Sequence, residues 1–301
     1  MSPAAIALIV GAAIAHATWN LLNKQASATG AVFFIWLLAA CATVLYSPVT
    51  VLAASLGQPH LTRLNWLFLA GTGVLQSGYF LFLQHGYTLG DLSVVYPIGR
   101  GTGAMLAALA GIVLLGERPS PVAITGIIAI GAGVVLIGIP GAARRTASAT
   151  DAPAIIRPTV PARGAIVFAL LTGMFIASYT IWDKYAVTNL HTPPILQGYA
   201  CFPVMTAVFA PFVLRDRQRL ADVWRSFRLQ VLGAALLAPL AYMLVLTALS
   251  FTAVSAIAPA REVSVLFGVL LGGRLLGESG LARRLTGAAA IVAGIIAIAV
   301  S

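Results

Sequence analysis

Charged side chains inside long apolar runs are the residues of this sequence whose types and spacing could do chemistry. Arg100 lies within the apolar run at 92–115, and Arg261 and Glu262 are neighbours within the run at 252–276. A charge in lipid costs several kcal/mol unless it is paired or faces a cavity. At a helical rise of about 1.5 Å per residue, all three would lie roughly 12–15 Å deep. The sequence therefore predicts a charged site near the middle of a bilayer.

Two kinds of chemistry fit these three charges. In the first, Arg100 and Glu262 form a structural ion pair that fastens two parts of the chain. In the second, the arginines bind an anionic group through their guanidinium forks, while Glu262 carries a coupling proton. Two arginines against one glutamate leave a net positive site, which favours an acidic or zwitterionic substrate over a cation.

Polar and aromatic residues in two matching runs are further candidates for substrate binding. His16 is either a buried, satisfied histidine or a proton relay and substrate contact. Trp19 and Asn20 follow it within a turn, and their counterparts in the sixth run are Tyr179 and Thr180. These four either line a cavity or pack helices together. Weaker candidates of the same kind are Gln76, Tyr79, Gln84, Tyr96 and Tyr242.

Residues near the ends of the runs have structural interpretations. Two prolines close to the arginines, Pro97 and Pro259, predict helix kinks. Lys184 is expected to be an interfacial anchor with Asp183 as its partner. Glu117 and Glu278 are expected to cap or bind a neighbouring loop. The sequence has no Cys/His metal spacing and no cofactor motif, so neither a metal nor a cofactor is expected.

The elements that must position these residues follow from composition. Of the 301 residues, 60% are hydrophobic and 9% are charged, and the mean hydropathy is +0.97. A soluble chain of this length needs far more charge on its surface, so the composition predicts an all-α integral membrane protein. Apolar runs of about 20 residues can cross a bilayer as helices. Ten such helices are predicted, at 3–24, 31–54, 65–87, 92–115, 121–139, 164–186, 195–214, 229–249, 252–276 and 281–300.

An internal repeat divides the chain into two halves. Residues 110–139 align with 271–300 at a shift of 161 residues, and both stretches contain Leu-Leu-Gly-Glu. The predicted units are a first five-helix repeat at 1–139, a linker at 140–163 and a second repeat at 164–301. Since five is odd, the second copy must enter the membrane from the opposite side. Inverted repeats of this kind are common in secondary transporters, with the binding site between the halves.

The basic residues predict orientation. The net charge is +10, but most Lys and Arg residues lie in two short segments between apolar runs, so no nucleic-acid partner is expected. Loops after odd-numbered helices hold thirteen Lys and Arg residues and the other loops hold three, which places both termini outside. The segment 215–228 is expected to be a turn or short helix on the membrane surface. The excess of Arg over Lys, with abundant Ala and Gly, suggests a GC-rich bacterial genome and hence a bacterial inner membrane.

Three stretches of the sequence resemble the drug/metabolite transporter superfamily in its EamA-like ten-helix branch. They are 12–24 (AAIAHATWNLLNK), 90–121 (GDLSVVYPIGRGTGAMLAALAGIVLLGERPSP) and 258–279 (APAREVSVLFGVLLGGRLLGES). The resemblance covers essentially the whole chain. It implies a monomeric or homodimeric, multi-pass transporter rather than an enzyme, moving small solutes by alternating access, often outward and often coupled to protons. Some small four-helix relatives use a carboxylate in the first helix, where this chain has His16 and, in the matching sixth helix, Ile176.

Four functions therefore stay open from the sequence. The preferred one is a secondary transporter of a small polar, acidic or zwitterionic metabolite. A flippase for lipid-linked sugars would use the same fold. A membrane enzyme acting on lipid would need a cluster of carboxylates or histidines near one membrane surface, whereas the charges here gather at the midplane. A passive channel should lack the repeat-related arginine pair.

Overall fold

The computed structural model describes residues 1–26, 31–89, 92–138, 163–262 and 281–300. All regular elements within these ranges are α-helices. They are α1 (Pro3–Ala26), α2 (Ala31–Gly57), α3 (Arg63–Leu89), α4 (Leu92–Leu114), α5 (Pro121–Gly138), α6 (Arg163–Thr188), α7 (Pro194–Val213), α8 (Arg217–Phe251), α9 (Val254–Ala260) and α10 (Leu281–Val300). The expected linker, except its last residue, lies outside the described residues, and so does the part of the predicted ninth helix beyond Glu262.

Several helices have the length and composition to cross a membrane. Within the described ranges, α2, α3, α6, α7 and α8 contain spans of sufficient length and hydropathy, and shorter apolar stretches occur in α1, α4, α5 and α10. Large apolar side chains face outward along these helices, including Leu56 and Leu229, which are 78% and 75% exposed. A soluble protein avoids so much exposed apolar surface, whereas lipid accommodates it.

Helix α8 begins earlier than the apolar pattern predicts. Asp216 caps it by accepting a hydrogen bond from the backbone N–H of Arg219 at 3.0 Å. The backbone leaves helical geometry at Phe227, with φ −129° and ψ 22°, and then continues as the apolar helix. The predicted short helix at 215–228 is therefore the first segment of α8, set off by a kink.

Contacts between helices give their relative directions. Trp36 of α2 donates to the carbonyl of Thr206, and Tyr199 of α7 donates to the carbonyl of Thr43. Residue numbers therefore increase along α2 where they decrease along α7, so the two helices are antiparallel. The same antiparallel relation holds for α1 with α8 and for α3 with α6. Helix α4 runs parallel to α6, since Gly99 meets Thr172 and Gly103 meets Ile176. Exchanging the two repeats maps the pair α1–α8 onto the pair α6–α3.

Helices α5 and α10 approach each other closely across the two repeats. A methyl group added to Gly126 would lie 2.6 Å from the carbonyl oxygen of Gly294, and one added to Gly133 would lie 2.6 Å from that of Gly287. At the 161-residue shift, Gly126 corresponds to Gly287 and Gly133 to Gly294. The two contacts therefore exchange when the repeats exchange, as a local twofold axis perpendicular to the helices requires. Only glycine permits this backbone approach.

Candidate functional site

A cavity of about 70 Å³ lies between helices of both repeats. Side chains from α1–α4 and α6–α8 line it, together with Arg261 in the turn after α9. A buried water needs about 10–15 Å³ by this measure, so the cavity holds several waters or a small polar solute. Eight residues that the sequence singled out for substrate binding line the cavity. Five were main candidates, namely His16, Trp19, Arg100, Tyr179 and Arg261, and three were weaker ones, namely Gln76, Tyr79 and Tyr242.

Arg100 and Glu262 form an ion pair between the two repeats. Arg100 Nη2 lies 3.0 Å from Glu262 Oε1, and Arg100 Nε donates to Oε2 at 3.3 Å. Both side chains are nearly fully buried, at 4% and 5% exposure. The bidentate geometry matches the planar fork of the guanidinium to the carboxylate. The structural ion pair, one of the two alternatives from the sequence, is thus present, and it neutralises Arg100.

His16 lies on the other side of Arg100. Its Nε2 is 3.2 Å from Arg100 Nη1, and its Nδ1 accepts a hydrogen bond from Trp19 Nε1 at 3.1 Å. Arginine and tryptophan nitrogens are donors only, and a neutral imidazole has a single unprotonated nitrogen. The single proton of the neutral ring therefore faces one of these two donors, so the ring accepts a hydrogen bond from only one of them at a time. The arrangement places His16 between Arg100 and Trp19 as an acceptor for either.

Arg261 has a different environment from its repeat mate Arg100. Its Nη2 donates to the Tyr179 hydroxyl at 3.4 Å, and its Nη1 donates to the Thr180 hydroxyl at 3.5 Å. Both contacts are long, and the side chain is only partly buried. Arg261 makes no ion pair in the part of the chain that the structure describes. It presents a cation to the cavity, with Thr180 behind it.

Gln76 was a weaker candidate from the sequence, and its environment makes it a stronger one. The side chain lines the cavity and is 7% exposed. Its amide makes no hydrogen bond to any described residue, although a buried amide normally has partners. An amide offers both donors and an acceptor, so Gln76 supplies the cavity with hydrogen-bonding capacity that a polar solute can use.

Asp183 is a buried carboxylate, and the expectation of an interfacial pair with Lys184 was wrong. Asp183 is fully buried, its Oδ1 accepts from Gln197 Nε2 at 2.9 Å, and its Oδ2 accepts from the Tyr242 hydroxyl. Lys184 Nζ instead donates to the carbonyl oxygens of Leu249 and Thr252, both at 2.8 Å. Adjacent residues on a helix point about 100° apart, so the pair diverges. In the sequence, only this difference in direction along a helix could have indicated that Asp183 and Lys184 do not pair.

Glu117 has the structural role that the sequence suggested. Its two carboxylate oxygens accept from the backbone N–H groups of Val254 and Ser255, at 2.7 and 2.8 Å, at the start of α9. A carboxylate at a helix N-terminus satisfies free donors and complements the helix dipole. Gly116 makes the tight turn before it with φ +68°. The counterpart of this residue, Glu278, lies outside the described residues.

Three further candidates have side chains that the structure does not describe, and a fourth does not line the cavity. Asn20, Tyr96 and Pro97 belong to α1 and α4, but their side chains lie outside the described part of the structure. Pro259 is buried, and α9 ends one residue after it, at Ala260. Within the described ranges, no three His, Cys, Asp or Glu residues could hold a metal ion.

Comparison with known proteins gives the fold and the family. A solved crystal structure of a protein has a TM-score of 0.72 and 17% sequence identity to this chain, covering 100% of this chain and 98% of the other. At that identity the likeness shows the fold alone. No curated protein matches the sequence. The EamA-like transporter family matches residues 3–139 and 163–300, one match for each repeat. The chain therefore belongs to the EamA-like transporter family.

Proposed function

We propose that this chain is a secondary transporter that binds a small acidic or zwitterionic metabolite at Arg261. The observation that carries the proposal is the difference between the two arginines. Glu262 neutralises Arg100, whereas Arg261 faces the cavity with only hydroxyl partners among the described residues. A cation held this way is available for a carboxylate or phosphate, which its fork binds bidentately.

The rest of the cavity supports a polar solute. Gln76 supplies unused amide groups, and Trp19 and Tyr179 supply aromatic faces against which an apolar part of the solute can pack. Arg100, His16 and Glu262 act as a neutral, interlocked support behind this surface. The proposed binding residues are therefore Arg261, Gln76 and Tyr179, with Trp19 beside them and Thr180 holding Arg261 from behind.

The proposed architecture is ten transmembrane helices in two inverted five-helix repeats, at 1–139 and 164–301, joined by the linker 140–163. The antiparallel, exchangeable contacts between α5 and α10 support this arrangement. Two equivalent packings, exchanged about such an axis, give alternating access to a site between the halves. The proposal includes outward transport across a bacterial inner membrane by a monomer or homodimer, on the strength of the family and the composition.

Counterflow in proteoliposomes tests the proposal. Vesicles loaded with one unlabelled solute receive the same solute in labelled form, with succinate, L-glutamate and inorganic phosphate as acidic probes and L-lysine and glucose as cationic and neutral ones. We expect transient accumulation of at least one acidic probe and none of lysine. Exchange of lysine alone would overturn the acidic specificity. Chemical conversion of a probe without exchange would overturn transport itself.

The Arg261→Gln variant tests the binding residue. Losing a charged hydrogen bond of about 1.5–3 kcal/mol should raise the half-saturating concentration of the acidic probe about ten- to hundredfold. Arg261→Lys, which keeps the charge but loses the fork, should fall between this variant and the wild type. Arg225→Gln, an exposed arginine on the first segment of α8, is the matched control and should leave exchange unchanged. Unchanged affinity in Arg261→Gln would contradict the assignment.

A further inference from the structure

We propose that Asp183 is the proton-binding site that couples transport to protons, an inference that rests on the proposed function. Asp183 is fully buried within α6, and its carboxylate has no cationic partner among the described residues. An isolated carboxylate is costly in lipid, and such groups mark ion and proton pathways. Glu262, the other buried carboxylate near the cavity, is already held by Arg100. The proton site is therefore assigned to Asp183 rather than to Glu262.

The hydrogen bonds around Asp183 can accommodate either protonation state. In the charged state, the Tyr242 hydroxyl donates to Asp183 Oδ2, and the Thr72 hydroxyl, 3.2 Å from that of Tyr242, can donate to Tyr242. In the neutral state, the Asp183 O–H donates to Tyr242 and the Tyr242 hydroxyl donates to Thr72. The hydrogen bonds between these three groups reverse their direction, and no heavy atom moves. One O–H bond is formed on Asp183, and no other covalent bond changes.

Tyr242 connects this buried group to the cavity. Its side chain lines the cavity, whereas Asp183 does not. A proton arriving from the cavity at the Tyr242 oxygen can displace that residue's own proton onto Asp183 Oδ2. Gln197 can also stabilise the protonated form of Asp183, because its Oε1 is buried with no partner among the described residues. After rotation of the amide, that oxygen can accept from a protonated Asp183.

The titratable and charged neighbours of Asp183 are few. Helix α3 contributes the neutral Thr72, and α7 contributes the neutral Gln197 and the thiol of Cys201. Helix α8 contributes Tyr242, and the turn after α9 contributes the charge of Arg261. On α6 itself, Lys184 is directed to two backbone carbonyls, and Arg100 of α4 is occupied by Glu262. Arg261 contacts Tyr179 and Thr180, one helical turn before Asp183 on α6, so its charge lies on the same side of the helix as the carboxylate.

This arrangement determines the sign of coupling. The positive charge of Arg261 favours the charged carboxylate of Asp183. An anionic solute bound at Arg261 cancels that charge and so favours proton uptake by Asp183. By reciprocity, a proton on Asp183 strengthens binding of the anion. Proton and acidic solute therefore bind together and cross in the same direction. Outward transport on this scheme is driven by the concentration gradient of the solute, and each solute carries a proton out with it.

Infrared spectroscopy of the full chain in liposomes tests the proton site without any solute. A pH-difference spectrum should contain the carbonyl stretch of a protonated carboxylic acid in an apolar environment. We expect this band in the wild type and its loss in Asp183→Asn. The exposed Asp222 provides the matched control, and Asp222→Asn should keep the band. A band that persists in Asp183→Asn, or no such band in the wild type, would overturn the assignment.

The chain itself indicates that Asp183→Asn can fold. At a shift of 160 residues, Asp183 corresponds to Asn23 in the first repeat, so this position already holds an amide once. A second variant leaves the carboxylate in place. Tyr242→Phe removes one donor to the charged carboxylate, so the midpoint of the infrared band should move to higher pH. An unmoved midpoint would place the titrating group elsewhere.

Proton uptake during binding tests the sign of coupling. Weakly buffered protein in detergent receives the acidic probe that shows counterflow, and a pH dye reports protons taken up. We expect uptake in the wild type and none in Asp183→Asn, although the variant still binds the probe. Proton release, or uptake retained in the variant, would overturn the inference while leaving the proposed function intact. Failure of every acidic probe to exchange would instead overturn the proposed function.

Discussion

A buried charge depends on its partner more than on any other feature of its surroundings. Arg100 and Glu262 are almost fully removed from lipid and water, and each satisfies the other through two contacts. Removing one member leaves the other charged and unpaired, which costs about 3–5 kcal/mol, whereas replacing both by apolar residues is often neutral. The pair's contribution therefore appears only when single and double variants are compared.

A double-mutant cycle on this pair is the prediction at the scale of residues. Glu262→Leu alone and Arg100→Leu alone should each lose about 3–5 kcal/mol of stability, and the double variant should lose much less than their sum. Thermal unfolding in detergent measures all four proteins. Additive losses would mean that the two side chains do not stabilise each other.

The sequence predicted the arginines and Glu262 because charges stand out in apolar runs. It offered the ion pair of Arg100 with Glu262 as one of two alternatives. It did not predict that Arg261 would be left facing the cavity, since equivalent positions look alike in sequence. Asp183 was misinterpreted because its neighbour Lys184 offered an obvious partner. Its true partners, Gln197 and Tyr242, come from other helices, and no local pattern indicates such contacts.

Helices meet most closely where glycine allows it. In the sequence, Ala129/Gly133 and Ala290/Gly294 are pairs of small residues four positions apart, a pattern that predicts close packing of the fifth and tenth helices. The structure adds Gly126 and extends the contact over two turns of α5 and α10. Helix positions were predictable from apolar length alone, whereas the start of α8 depended on the Asp216 cap, which lies outside the apolar run.

The prediction at the scale of elements concerns this glycine contact. Gly126→Ala would place a methyl group 2.6 Å from a backbone carbonyl, so the two helices must separate. Overpacking of this kind costs about 1–3 kcal/mol. The matched control is Gly57→Ala at the end of α2, where an added methyl group meets nothing within 4 Å. Thermal unfolding should separate the two variants, and equal stability would show that α5 and α10 can adjust freely.

At the scale of the whole molecule, topology decides which surfaces face which compartment. In the proposed topology, the even number of membrane crossings puts both termini on one side, and the Lys and Arg bias predicts that this side is outside. The repeat and the number of helices were readable from the sequence because each span must be long and apolar. The direction of insertion follows instead from a charge bias concentrated in two segments, because packing contacts are the same whichever way the helices enter the membrane.

Cysteine labelling in intact cells checks this topology. In a background with Cys41→Ala and Cys201→Ala, an impermeant maleimide should label Gln58→Cys, which follows α2. It should reach Ser226→Cys, on the first segment of α8, only after the cells are permeabilised. Both native positions are exposed. The reverse pattern would invert the orientation, and labelling of both sites in intact cells would contradict the alternating crossings.

A single repeat sequence is enough to form the contact between α5 and α10, because the two glycine contacts become each other when the repeats are exchanged. Two identical five-helix chains could form it, but they would have to be alike at every matching position. Covalent joining removes that restriction. The chain has Glu262 where the first copy has Gly101, and Asp183 where the first copy has Asn23. Two repeats in one chain can thus differ, so that Glu262 pairs with Arg100 while Arg261 stays available for the proposed solute. Two identical chains could not differ in this way.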